Sequence, residues 1–126
     1  MLDLAGRLTV AQSVLDSLFL SIHMNAFTQT QYSGTQVWYS VGDGRSQDIA
    51  RSIQSGAAML DPLNHRKCKA AGSSIYLLDR LDTPAVLVEG GFLSNPEEAA
   101  LLGNEAYRQE LALMIFASVL STLQGG

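Results

Sequence analysis

Two short apolar runs, LFLSI at residues 18–22 and PAVLV at 84–88, constrain this chain more than any other feature in it. Runs of this length bounded by polar residues read as strands covered on both faces, as in the interior of a sheet sandwiched between helices. Each run ends on an ionisable residue, His23 and Glu89. In open α/β sheets, ligands bind outside the carboxyl ends of the strands. If these two strands lie parallel and close together, His23 and Glu89 emerge on one rim.

The remaining chain supplies the helices such a sheet needs. Leu4, Leu8, Ala11 and Leu15 recur at helical spacing, which predicts an amphipathic helix over residues 4–17. Residues 28–34 form a loop, and TQVWY at 35–39 alternates as a strand. VGDGRS is a turn in which Ser46 can cap a helix reaching Leu60, with Ile49, Ile53, Ala57 and Leu60 as its buried stripe. DPLNHRKCKAAGSS is a polar connection, and residues 75–78 read as another strand.

After Glu89, Gly90-Gly91 turns the chain. Asn95 then caps a helix with Pro96 at its first position and Glu98 at the capping-box position. Gly103-Asn104 interrupts before a final helix over 105–123 with Leu111, Ile115, Val119 and Leu123 on its inner stripe. The expected fold class is α/β, a mixed, largely parallel sheet with helices on both faces. The 126 residues fit a single domain, 1–126.

Composition narrows the function classes. A hydrophobic content of 47% with 16% charged residues describes a chain able to bury a core. The net charge of −4, without a lysine-rich run, argues against nucleic-acid or anionic-membrane partners. No apolar stretch is long enough to span a bilayer. Asp3 and Arg7 interrupt the N-terminal segment, so a signal-peptide core is not expected in this chain. One cysteine, Cys68, rules out an internal disulfide framework.

The chemistry-bearing candidates each have a plainer reading. His23 has the chemistry of a zinc ligand, although a lone histidine at a strand end is more often a hydrogen-bonded structural residue. Glu89 closes a buried run, where a carboxylate is costly unless paired or used; beside a metal it would serve as the proton carrier. Asn25 is a turn former or a substrate contact. Arg66, Lys67 and Lys69 offer charge to a substrate carboxylate, against the default of a solvated face. His65 and Cys68 show an H-x-x-C spacing that lacks the further partners a metal site needs. Ser21 and Ser94 have no Gly-x-Ser-x-Gly context, so a serine hydrolase is unsupported.

LFLSIHMNAF, GTQVWYS and PAVLVEGGFLSNPEEAALL, in that order and followed by a closing helix, resemble the zinc-dependent N-acetylmuramoyl-L-alanine amidases, from about Leu4 to Leu123. The LNHRK and SSIYLLDRLDTPAVLVEGGFLSN stretches are most similar to the germination-specific, spore-cortex branch of that family. The resemblance implies hydrolysis of the amide between N-acetylmuramic acid and the L-alanine of the stem peptide, with peptidoglycan as partner. It also implies a location in the cell envelope or outside the cell. By the same resemblance His23 matches a zinc ligand and Glu89 the catalytic glutamate. Asn25 and Arg66 are substrate-binding candidates on their own chemistry, not by the resemblance.

The family pattern also includes a strand with a Gly-His-Gly loop and a further glutamate ligand, and neither motif occurs in these residues. The expectation is therefore the C-terminal portion of a catalytic domain with an incomplete zinc site. Uncovered sheet neighbours would then leave an edge through which the chain can self-associate. The alternative is a catalytically silent peptidoglycan- or partner-binding fragment. Another zinc amidohydrolase or carboxypeptidase-like enzyme ranks third, because the SNPEE helix start and the GTQVWY strand fit it less well.

Overall fold

The computed structural model describes residues 1–125 and consists of four strands and five helices. In chain order these are α1 (Leu4–Gln12), β1 (Phe19–Asn25), β2 (Gln36–Tyr39), α2 (Arg45–Leu60), β3 (Lys69–Ala70), α3 (Tyr76–Arg80), β4 (Ala85–Phe92), α4 (Pro96–Leu102) and α5 (Glu105–Leu123). The sheet order is β1-β4-β2-β3. β1 runs parallel to β4 and β2 parallel to β3, while β2 and β4 are antiparallel. The sheet is therefore mixed and mostly parallel, as expected.

Side chains alternate across this sheet and create two separate apolar cores. Val37, Val86 and Val88 point to one face, where Ile49, Ala50 and Ile53 of α2 and Leu111 and Ile115 of α5 cover them. Ala85 points to the other face and packs with Leu77 and Leu78 of α3 and Leu81; Leu8 and Ala11 of α1 close over this second core. β4 lies between both layers, and Ala85, Val86 and Val88 are fully buried. Helices on both faces follow from that pattern.

Several expectations are corrected. β1 is not covered on both faces: it stands at the sheet edge, and Leu20, Ile22 and Met24 are 38%, 49% and 38% exposed. α1 stops at Gln12, five residues early, because Ser13 Oγ bonds back to Val10 O at 2.6 Å and Asp16 adopts a left-handed φ of 53°. Leu15, assigned to its stripe, consequently lies beyond the helix and is exposed.

Residues 75–78, read as a strand, lead into and form the short helix α3. A four-residue apolar run fits either state, and here packing against Ala85 selects the helix. The connection after α2 contains the two-residue edge strand β3, too short to leave a periodic trace. Ser46 does not cap α2. Gly44 occupies that position, and Ser46 Oγ is buried and accepts a hydrogen bond from Ala85 N at 2.9 Å, tying the helix to β4.

The C-terminal elements follow the sequence closely. Asn95 Oδ1 accepts from Glu97 N and Glu98 N at 3.0 and 3.1 Å, with Pro96 at the first helical position. Asn104 caps α5 by accepting from Tyr107 N at 3.0 Å. Leu111 and Ile115 are buried on that helix as expected, whereas Leu123 is exposed.

Candidate functional site at the β1–β4 rim

The parallel pairing of β1 and β4 sets the site. Their register is Phe19 with Ala85, Ser21 with Leu87, and His23 with Glu89. Residues paired in register project to the same face of a sheet. His23 and Glu89 therefore emerge side by side at the carboxyl ends of adjacent parallel strands. His23 is exposed and Glu89 is half-buried. Each faces its own concavity: His23 lines a hollow of about 240 Å³ with Ser21, Leu87 and Tyr76, and Glu89 lines a neighbouring one of about 220 Å³.

Just past His23 the register slips. Asn25 pairs with Phe92, so two steps along β1 match three along β4. This is a β-bulge at Gly90-Gly91, where a turn was expected; the strand instead continues through both glycines to Phe92. Both positions are crowded. A Cβ on Gly90 would lie 3.0 Å from Met24 Cε and 3.1 Å from Leu111 Cδ2, and one on Gly91 3.1 Å from Glu98 Oε1. The extra residue reverses the alternation, so Phe92 shares a face with Asn25 and Glu89 instead of pointing away from them.

The hollow beside Glu89 is walled by Asn25, Phe27, Tyr32, Trp38, Arg66 and Phe92, with Gln36 and Lys69 completing it. Phe27 and Tyr32 meet edge-on with ring centroids 5.0 Å apart. Arg66 spreads its guanidinium over the Phe92 ring at 5.0 Å and donates to Ser33 O at 2.8 Å and, weakly, to Gln36 Oε1 at 3.4 Å. Asn25 lines the same hollow, and its side-chain oxygen is engaged by Ala26 N at 2.8 Å. Arg66 and Asn25 thus stand in one concavity with Glu89.

Two contributors to this site escape sequence reasoning. The indole N–H of Trp38, on β2, donates to Glu89 Oε1, and Lys69 Nζ sits 5.5 Å from the Trp38 ring centroid. Trp38 gave no signal beyond its place in an alternating strand, because its partner lies 51 residues away. Glu98 does not complete a capping box. Its Oε1 accepts from Phe92 N at 2.8 Å and from Gly34 N at 2.9 Å, binding the end of β4 to the loop that carries Phe27 and Tyr32.

His65 and Cys68 stay outside this arrangement. They line a separate cleft with Gln47, Arg51 and Gln54, and Cys68 packs against the α2–α5 core. Lys67 is exposed, and its carbonyl accepts from Gln36 Nε2 at 2.7 Å.

Comparison with known proteins decides what this rim belongs to. The N-acetylmuramoyl-L-alanine amidase family matches residues 1–121. The chain belongs to that family. A germination-specific N-acetylmuramoyl-L-alanine amidase of Bacillus subtilis is 34% identical over 118 residues, covering 94% of this chain and 49% of the relative. A solved CwlD amidase from Clostridioides difficile, in complex with the GerS lipoprotein, superposes with a TM-score of 0.92 at 34% identity. That match covers 98% of this chain and 62% of the other. An N-acetylmuramoyl-L-alanine amidase from Clostridium difficile 630 superposes with a TM-score of 0.88 at 29% identity, over 98% of this chain and 66% of that one. The chain thus spans about half the length of the curated relative.

Amidases of this family are generally zinc-dependent. Catalytic zinc takes three protein ligands and keeps one position open. Among the described residues no three His, Cys, Asp or Glu side chains are grouped to hold a metal ion. The donor set at the rim is one exposed imidazole beside a carboxylate already engaged by Trp38. These residues alone do not fit a complete catalytic zinc site. No helix among them is long and apolar enough to cross a membrane.

Proposed function

We propose that residues 1–126 are the C-terminal portion of an amidase catalytic domain that hydrolyses the bond between N-acetylmuramic acid and the L-alanine of the peptidoglycan stem, in the spore cortex. The observation that carries this reading is the in-register pairing of His23 with Glu89 at the carboxyl ends of β1 and β4, in a chain matching the amidase family over residues 1–121. Glu89 is the proton carrier: a half-buried carboxylate at a concave rim can take a proton from a nucleophilic water and return it to the leaving amine. His23 is one zinc ligand, and the remaining ligands lie outside this donor set.

Arg66 and Asn25 are the substrate contacts in this reading. Arg66 is braced by Ser33 O and Phe92, so its charge is held at the hollow instead of sweeping through solvent, which suits a stem-peptide carboxylate. Phe27, Tyr32 and Phe92 give this hollow an apolar wall against which a substrate can pack. The substrate places the protein in the cell envelope or outside the cell.

The test is release of stem peptides from muropeptides by the complete domain, with wild-type Glu89 and with Glu89→Gln. Loss of a proton-transfer group lowers the rate about 100- to 10,000-fold. Equal activity in the two proteins would remove Glu89 from the mechanism.

The second reading, a catalytically silent binding fragment, draws on the single imidazole in the donor set. Metal analysis of the purified chain and sedimentation with sacculi separate the two. Stoichiometric zinc counts against silence, and sacculus binding without metal favours it.

A further inference from the structure

We infer that Trp38 is the positioning residue for Glu89, a role that rests on the amidase reading above and adds a residue to its machinery. Glu89 has three rotatable side-chain torsions, and a proton carrier acts only when its carboxylate is held within hydrogen-bond reach of the reacting atoms. The indole supplies that hold. Its N–H can only donate, it has one direction, and it is aimed at Glu89 Oε1 across the β2–β4 pairing. Oε1 is thereby anchored, while Oε2 carries no hydrogen bond among the described residues and is left to the hollow that Glu89 lines.

The indole is itself fixed from two sides. Trp38 pairs with Leu87 in the antiparallel register, and its ring packs with Leu87 on the core formed by Leu77, Leu78 and Ala85. Its register partner on the other side, Lys69 of β3, brings its ammonium to 5.5 Å from the ring centroid. Leu87, Trp38 and Lys69 thus form a row across β4, β2 and β3, from which the indole reaches diagonally to Glu89. This row gives β3 a use despite its length of two residues.

Trp38→Phe keeps an aromatic ring, though a smaller one, and removes the donor. In the complete domain it is expected to lower kcat about 10- to 100-fold with KM unchanged, the signature of a misplaced reacting group and not of lost binding. Unchanged kcat, or a loss confined to KM, would overturn the inference.

A second measurement needs neither metal nor turnover. Trp38 is the single tryptophan, so the 126-residue chain gives one indole N–H resonance. Glu89→Ala, which removes the acceptor, is expected to move that resonance and to speed its exchange with solvent several-fold. A resonance indifferent to Glu89→Ala would overturn the inference even where Trp38→Phe failed to fold. If Glu89→Gln abolishes hydrolysis and Trp38→Phe does not, the positioning role fails and the amidase reading stands. A fully active Glu89→Gln domain would sink both.

Discussion

Gln54, inside α2, presses its amide against the start of β2, accepting from Val37 N at 2.9 Å and donating to Thr35 O at 2.8 Å. Asn64 donates to the same Thr35 carbonyl at 3.1 Å. All four residues are buried, and the two side chains supply the partners these backbone groups need. Gln54→Ala would leave Val37 N without its partner and should cost about 1–3 kcal/mol in a denaturant melt. An unchanged midpoint would show that another group replaces it.

Asn95→Ala belongs to the same scale. Removing the acceptor for Glu97 N and Glu98 N should cost about 1 kcal/mol, read in the same melt. At this scale the sequence was legible wherever a residue's partner is local. Asn95 and Pro96 announce a helix start through their neighbours alone, and His23 and Glu89 stood out because each ends an apolar run. Ser46, Trp38 and Glu98 were misassigned or missed because their partners Ala85, Glu89 and Gly34 lie 39, 51 and 64 residues away. Such pairings become visible only once the sheet is assembled.

Among the elements, β4 bears the greatest structural demand. Val86 and Val88 are fully buried under α2 and α5, and Leu87 and Glu89 look to the opposite layer. Val88→Asp would put an unpaired carboxylate among Val37, Ile49 and Ile53, and the chain should fail to give a cooperative melt. A soluble, cooperatively folding variant would contradict the buried-strand assignment.

β4 and α5 were legible because a central strand and a long helix carry enough residues to show their period. α3 and β3 were not, since five and two residues carry almost no period. β1 was legible as a strand but not as an edge strand, because apolar content records what a segment is suited to pack against, not what lies beside it.

At the largest scale, the sheet is closed on one side by α2 and α5 and on the other by α1 and α3, but among the described residues β1 borders no further strand. Its unpaired backbone groups lie beside exposed Leu20, Ile22 and Met24. Open, flat apolar edges of this kind template pairing with another chain. The 126-residue chain is therefore expected to associate through β1 at micromolar concentration, measured by light scattering. An Ile22→Lys variant should shift the distribution toward monomer. A monodisperse monomer for the parent chain would rule out this use of the edge.

The slip at Gly90-Gly91 works as a one-step change of phase. Were the three steps from Glu89 to Phe92 strictly alternating, the Phe92 ring would swing to the opposite side of the sheet. Arg66 would lose the surface it rests on, and the carboxylate of Glu89 would face a cavity missing one of its walls. One irregular step in a single strand thus keeps the hollow beside Glu89 in one piece.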